Sequence, residues 1–151
     1  MKIRSIALAS GLLAAALCGP AQAQTQIQWW HAMSGPLGEW VNDLAKEYNA
    51  SQKDYVVVPT YKGNYGETFT AAMAAFRAGN APDILQVYEV GTATMMAAKG
   101  AVKPVGEVMT MGGAKFDASV YIPAVAGYYT APNGQMLSLP FNSSTTIFYY
   151  N

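Results

Sequence analysis

At 151 residues the chain has about the length of one domain. Nine Lys+Arg balance nine Asp+Glu, only 12% of residues are charged, and no basic block occurs, which argues against nucleic acid or an anionic membrane as a partner. One cysteine and one histidine exclude a disulfide framework and a zinc site built from several such ligands.

Met1-Lys2-Ile3-Arg4 is a basic start, Ser5 to Leu17 is an apolar run rich in Ala and Leu, and Ala21-Gln22-Ala23 has small residues at cleavage spacing. Together they form an export signal over residues 1–23, leaving Gln24 as the mature N-terminus. The apolar run is too short to span a bilayer, which needs ~20 residues. Cys18 leaves with the signal, because Leu17 stands where a small residue would precede a lipidated cysteine. The mature chain then carries seven Lys+Arg against nine Asp+Glu, and its stability rests on an ordinary hydrophobic core.

Gln26 to His31 reads as a first strand that enters the loop Met33-Ser34-Gly35-Pro36. Pro36 suits the first turn of a helix capped by Ser34 or Gly35, with Leu37, Val41, Leu44, Ala45 and Tyr48 on its apolar face. Trp29 and Trp30 are predicted as core aromatics, with a sugar-stacking platform as the alternative. His31 is read as a hydrogen-bonding residue at the edge of the loop.

Val56-Val57-Val58 is a buried strand ending at Pro59, followed by the loop Lys62 to Gly66. Phe69, Ala72, Met73 and Phe76 then recur at helical spacing until Gly79-Asn80. After Pro82, Asp83 to Val87 reads as a second such strand, Tyr88 to Thr92 as its loop, and Thr94 to Ala98 as a helix. This βαβα order predicts a mostly parallel sheet, in which ligands bind outside the carboxyl ends of the strands. Tyr65 and Glu89 both fall at that end. Asp83 and Glu89 sit at opposite ends of one strand, so they do not form a catalytic carboxylate pair.

Further on, Val108 to Gly113 reads as a short helix, and Asp117-Ala118-Ser119 as the cap of another running through Tyr121 to Ala126. Asn133-Gly134 is a hairpin signal between Tyr128–Thr130 and Met136–Pro140. Phe141 to Thr145 forms a polar loop, and Thr146 to Asn151 reads as a strand that stops with no cap, so the chain is expected to continue beyond Asn151. Met95, Met96, Met109 and Met111 are read as core filler in preference to a soft-metal site. GxSxG, P-loop and GxGxxG motifs are absent; no enzyme activity, cofactor or metal is expected.

WWHAMSGPLG, PTYKGNY, LQVYEVGTATMM and PFNSST followed by YYN resemble the sn-glycerol-3-phosphate-binding proteins of bacterial ABC importers. The first motif is shared in looser form by sugar-binding relatives. The resemblance implies a type II periplasmic-binding-protein-like fold, with residues 24–151 forming a partial N-terminal lobe, a mostly parallel sheet flanked by helices, and the second lobe missing. It implies a soluble periplasmic protein that captures sn-glycerol-3-phosphate, or glycerophosphodiesters such as glycerophosphocholine. Its partners would be inner-membrane ABC permease subunits with their ATPase. By the same resemblance, the tyrosine of GNY and the second serine of FNSS contact phosphate, here Tyr65 and Ser144. The glutamate of VYEVG, here Glu89, holds the glycerol end. A carboxylate accepts from vicinal hydroxyls and would repel phosphate placed beside it. Glu67, where the pattern departs, is placed outside the site. Two alternatives are an oligosaccharide-binding protein of the same superfamily and a single-lobe periplasmic interaction protein.

Overall fold

A computed structural model describes residues 24–98, 100–144 and 146–151. The export signal expected over residues 1–23, with Cys18, lies outside the described residues, as does Thr145 of the polar loop.

Strand β1 (Thr25–His31) is the centre of a three-stranded sheet of order β2-β1-β3, and both of its neighbours run parallel to it. Its middle residues are half-buried on both faces, which is why the run shows no clean apolar-polar alternation. Helix α1 (Gly35–Ser51) links β1 to β2 (Tyr55–Tyr61), and α2 (Tyr65–Arg77) links β2 to β3 (Ile84–Leu85). These two connections cross the sheet in opposite directions, so right-handed crossovers place α1 and α2 on opposite faces. The expected α/β architecture, a parallel sheet flanked by helices, is the one observed.

Ser34 stands at the N-cap of α1 in extended conformation, with Pro36 in the first turn, as its sequence signature predicts. The buried stripe of α1 is narrower than expected. Val41 and Ala45 are buried and Leu44 is half-buried, while Leu37 and Tyr48 are exposed. Asn49 ties the helix to the sheet by bonding both the N–H of Val57 (2.7 Å) and its carbonyl (2.9 Å).

Several boundaries differ from the sequence expectation for identifiable reasons. β2 does not end at Pro59 but runs on to Tyr61, with Pro59 opposite Trp29. An edge strand tolerates proline because its outer N–H groups have no ladder partner to lose. β3 is two residues, not the five of Asp83 to Val87. Side chains extend the pairing on either side: the Asp83 carboxylate accepts from the Gln28 N–H (2.8 Å), and the Gln86 amide oxygen accepts from the Ala32 N–H (3.0 Å), while the Gln86 N–H donates to the Trp30 carbonyl (2.9 Å). Tyr65 and Glu89, expected in loops, are each the first residue of a helix, α2 and α3 (Glu89–Ala97) respectively. For α2 the cause is a capping box. Asn64 accepts from the Glu67 N–H (3.0 Å), and Glu67 accepts from the Asn64 N–H (2.8 Å).

Helix α4 (Val105–Met111) begins after Pro104, three residues before the predicted start, and ends at Gly112 with Gly113 in the left-handed region. The helix expected from Asp117 to Ala126 is split. A 3-10 turn, Ala118–Val120, is capped by Asp117, and α5 (Pro123–Tyr128) starts afresh, because Pro123 forces Ile122 out of helical conformation. The hairpin signal yields a single antiparallel bridge, Thr130 to Met136, with Gly134 at φ 82° in its turn. Residues 146–151 are not a strand; among the described residues none pairs with them, and Ile147, Phe148, Tyr149 and Tyr150 are exposed. Of the methionines read as core filler, Met95, Met96 and Met109 are half-buried. Met111 is 70% exposed, its sulfur against the Lys103 ammonium at 3.7 Å.

Candidate ligand-binding site

All three strands discharge at one edge of the sheet, so the segments after β1, β2 and β3 share that edge. The exit of β2 carries Lys62, whose N–H donates to the His31 carbonyl (3.0 Å) and whose ammonium lies 4.0 Å from the centre of the Trp30 ring. Three residues later comes Tyr65. Its ring stacks on Tyr88 from the exit of β3, with centroids 5.4 Å apart and planes 14° from parallel. Phe69, one turn further along α2, meets the same Tyr88 ring edge-on at 6.3 Å. Tyr88 is immediately followed by Glu89. Tyr65 and Glu89 are thus brought to one aromatic cluster, and both are exposed there.

Glu89 is fixed by its backbone. The Tyr128 hydroxyl donates to the Glu89 carbonyl (2.7 Å), joining α5 to the first turn of α3. Burial pushes the Tyr129 phenol up from its ordinary value, and the charges of Glu89 and Tyr128 add to that shift. Tyr128 and Tyr129, expected only as a hairpin flank, thus lie beside the start of α3. Nothing in the spacing of Tyr128 and Tyr129 signals that position.

Ser144 approaches from elsewhere. Phe141 is gripped between Trp29 (5.5 Å, edge-on) and Trp40 (5.2 Å, 25° from parallel), and the Asn142 amide lies 3.4 Å from the Met33 sulfur. These contacts pin the segment before Ser144 to β1 and α1. Ser144 itself is exposed, and among the described residues no hydrogen bond joins it to Tyr65 or Glu89. Trp29, weighed as a sugar platform or a core residue, is half-buried with its ring on Phe141.

The capping box has a chemical consequence. The Glu67 carboxylate occupies the N-terminal turn of α2 and places a negative charge there, which disfavours an anion at that turn; the Tyr65 phenol offers a donor beyond it. A surface pocket of about 520 Å³ lies beside the start of α1, lined by His31, Ser34, Glu39, Asn42 and Tyr61 among others, and does not reach Tyr65, Glu89 or Ser144. Among the described residues no group of three or more His, Cys, Asp and Glu could hold a metal ion.

His31 is 2% exposed, deeper than a loop-edge residue, and its Nδ1 accepts from the Met33 N–H (3.3 Å). Burial lowers its pKa below the ordinary 6.5. The unfolded chain therefore takes up this proton first as pH falls, and stability drops below about pH 6.5, whereas above it this residue adds no pH dependence. Denaturant midpoints measured from pH 7.5 down to 5 should show that fall. His31→Asn should flatten it, and an unchanged slope would exclude His31 as its source.

Residues 43–151 match the sequence pattern of a family described as bacterial extracellular solute-binding protein. The chain is 58% identical over 146 residues to the sn-glycerol-3-phosphate-binding periplasmic protein UgpB of Escherichia coli (strain K12), covering 96% of this chain and 32% of that one. Identity to the protein of the same name from Brucella abortus (strain 2308) is 51% over 142 residues, or 94% of this chain and 33% of that one. The chain thus spans about a third of the length of the curated relatives it matches. Among solved structures, CpMnBP1 with mannotriose bound aligns with a TM-score of 0.65 at 23% identity, over 78% of this chain and 28% of that one. The ABC substrate-binding protein Lmo0181 of Listeria monocytogenes, in complex with cycloalternan, aligns at 0.60 and 20% identity, over 76% and 28%. At such identities the likeness is one of fold.

Proposed function

Because the chain belongs to the bacterial extracellular solute-binding protein family, we propose that it captures sn-glycerol-3-phosphate in the periplasm and delivers it to an ABC permease and its ATPase. The observation that carries this reading is the 51–58% identity to relatives named for binding that ligand. The site chemistry supports it. Tyr65 supplies a phenolic donor for a phosphate oxygen, and Lys62 adds a positive charge at the same sheet edge. Glu89 supplies acceptors for vicinal hydroxyls and stands one residue beyond the Tyr88 ring on which Tyr65 stacks. Ser144 adds a hydroxyl and a backbone N–H from the Phe141 anchor.

The role is capture and release, with no chemical turnover. A second α/β lobe closes over this exposed edge by a hinge motion, and the closed form is what the permease recognises. Residues 1–23 direct export and are removed, leaving residues 24–151 as part of the N-terminal lobe.

The test is calorimetric titration of the full-length protein with sn-glycerol-3-phosphate, glycerophosphocholine and mannotriose. Micromolar or tighter binding of the phosphate ligands, with no heat from mannotriose, is expected. The reverse preference would move the protein to the oligosaccharide-binding branch, and no binding of any of the three would favour an interaction protein.

A further inference from the structure

Tyr88 is held through both its ring and its backbone. Its ring carries Tyr65 on one face (5.4 Å, 14°) and the edge of Phe69 (6.3 Å, 79°). Gly91 leaves the room this requires, since a Cβ there would lie 3.1 Å from Tyr88 Cε1. Its backbone is equally constrained. Tyr88 is the N-cap of α3, and its carbonyl accepts from the N–H of Gly91 (3.0 Å), the N–H of Thr92 (3.1 Å) and the buried Thr92 hydroxyl (3.1 Å). Ring and carbonyl belong to one residue, so the ring that orients Tyr65 and the cap that starts α3 at Glu89 spring from the same Cα, each held by its own contacts.

We infer that Tyr88 is a positioning residue that holds the Tyr65 phenol and the Glu89 carboxylate at one spacing, and so selects ligands by the distance between a phosphate group and a diol. The inference rests on the functional reading above and adds a source of specificity to it. In sn-glycerol-3-phosphate the phosphate sits at one end and two vicinal hydroxyls at the other. Glycerol-2-phosphate has the same atoms and charge, but its phosphate lies between two separated hydroxyls. A fixed phenol-to-carboxylate spacing accepts the first and strains the second.

The experiment measures the affinity of full-length protein for both isomers, with melting temperatures as a check on folding. Tyr88→Leu removes the stack and is expected to weaken sn-glycerol-3-phosphate about tenfold while leaving glycerol-2-phosphate nearly unchanged, so that the ratio of affinities falls by about the same factor. Tyr88→Phe keeps the ring and should keep both affinity and ratio. Combining Tyr65→Phe with Tyr88→Leu should cost much less than the product of the single losses, because an unpositioned phenol contributes little. Should Tyr88→Leu fail to fold, Phe69→Leu removes the edge-on support while leaving both tyrosines, and about a threefold loss in the ratio is expected.

An unchanged isomer ratio in a folded Tyr88→Leu or Phe69→Leu protein would overturn the inference. A Tyr88→Phe loss equal to that of Tyr88→Leu would overturn it differently, by making Tyr88 a ligand contact through its hydroxyl. Wild-type protein that binds neither isomer would overturn the functional reading itself, and this inference with it.

Discussion

Glu89→Ala should weaken binding of sn-glycerol-3-phosphate about a hundredfold with little change in melting temperature. The magnitude follows from two hydroxyl-to-carboxylate hydrogen bonds, each contributing roughly 1.5–3 kcal/mol when one partner is charged, of which part is recovered when water enters the space left by the side chain. The small stability effect follows from position. Glu89 is exposed at the first residue of α3, where a carboxylate favours the helix by about 0.3–1 kcal/mol through the helix dipole. The backbone feature at this residue, the 2.7 Å bond from the Tyr128 hydroxyl to its carbonyl, survives the substitution. Glu89→Gln, which keeps one neutral acceptor, should fall between wild type and alanine. Titration calorimetry on the full-length protein decides the matter. A dissociation constant within threefold of wild type for Glu89→Ala would remove this residue from the site.

Gly91→Val should lower the stability of the fold by about 2–3 kcal/mol and weaken ligand binding at the same time. A glycine within a helix ordinarily costs ~1 kcal/mol relative to alanine, so on propensity alone a side chain here ought to help. The surroundings reverse that sign. A Cβ at Gly91 would lie 3.1 Å from Phe69 Cδ2, from Tyr88 Cε1 and from Val87 Cγ1, and the residue is buried. All three groups would have to give way, and of the two aromatic ones Tyr88 can yield only by disturbing its stack with Tyr65. Gly127 in α5 is the natural control, since a Cβ there would meet nothing within 4 Å, and Gly127→Ala should be neutral or stabilising. Urea midpoints for the two variants, read beside the ligand titration, test the contrast. Equal effects at both glycines would mean that backbone propensity, not the packing around Tyr88, governs these positions.

Much of the fold was legible because it depends on local chemistry. The β-branched run at Val56 to Val58, the apolar run after Pro82 and the helical spacing of Phe69, Ala72 and Phe76 signal parallel strands joined by crossover helices, and those elements are observed. The same pattern assigned Tyr65 and Glu89 to the carboxyl edge of the sheet, because strand direction and chain order settle which end a connection leaves. The motifs shared with the solute-binding relatives pointed to the family, which composition alone could not do. Asn64 and Glu67 also stood in the sequence as a capping box, and reading that spacing would have started α2 at Tyr65.

What the sequence by itself determined was therefore the order and direction of the elements and the type of chemistry available at one sheet edge. Tertiary structure alone decided which side chains meet. Pro59 could continue β2 only because that strand lies at the sheet's edge, a fact of topology and not of local preference. Asp83 and Gln86 flank the two-residue β3 with side-chain bonds to β1, across 55 and 54 residues of chain. The stack of Tyr65 on Tyr88, the grip of Trp29 and Trp40 on Phe141, and the Tyr128 bond to Glu89 join residues from separate elements. Such contacts have no periodicity to announce them. They exist because parallel strands discharge their connections at a common edge, and only the packed sheet determines which rings arrive there side by side.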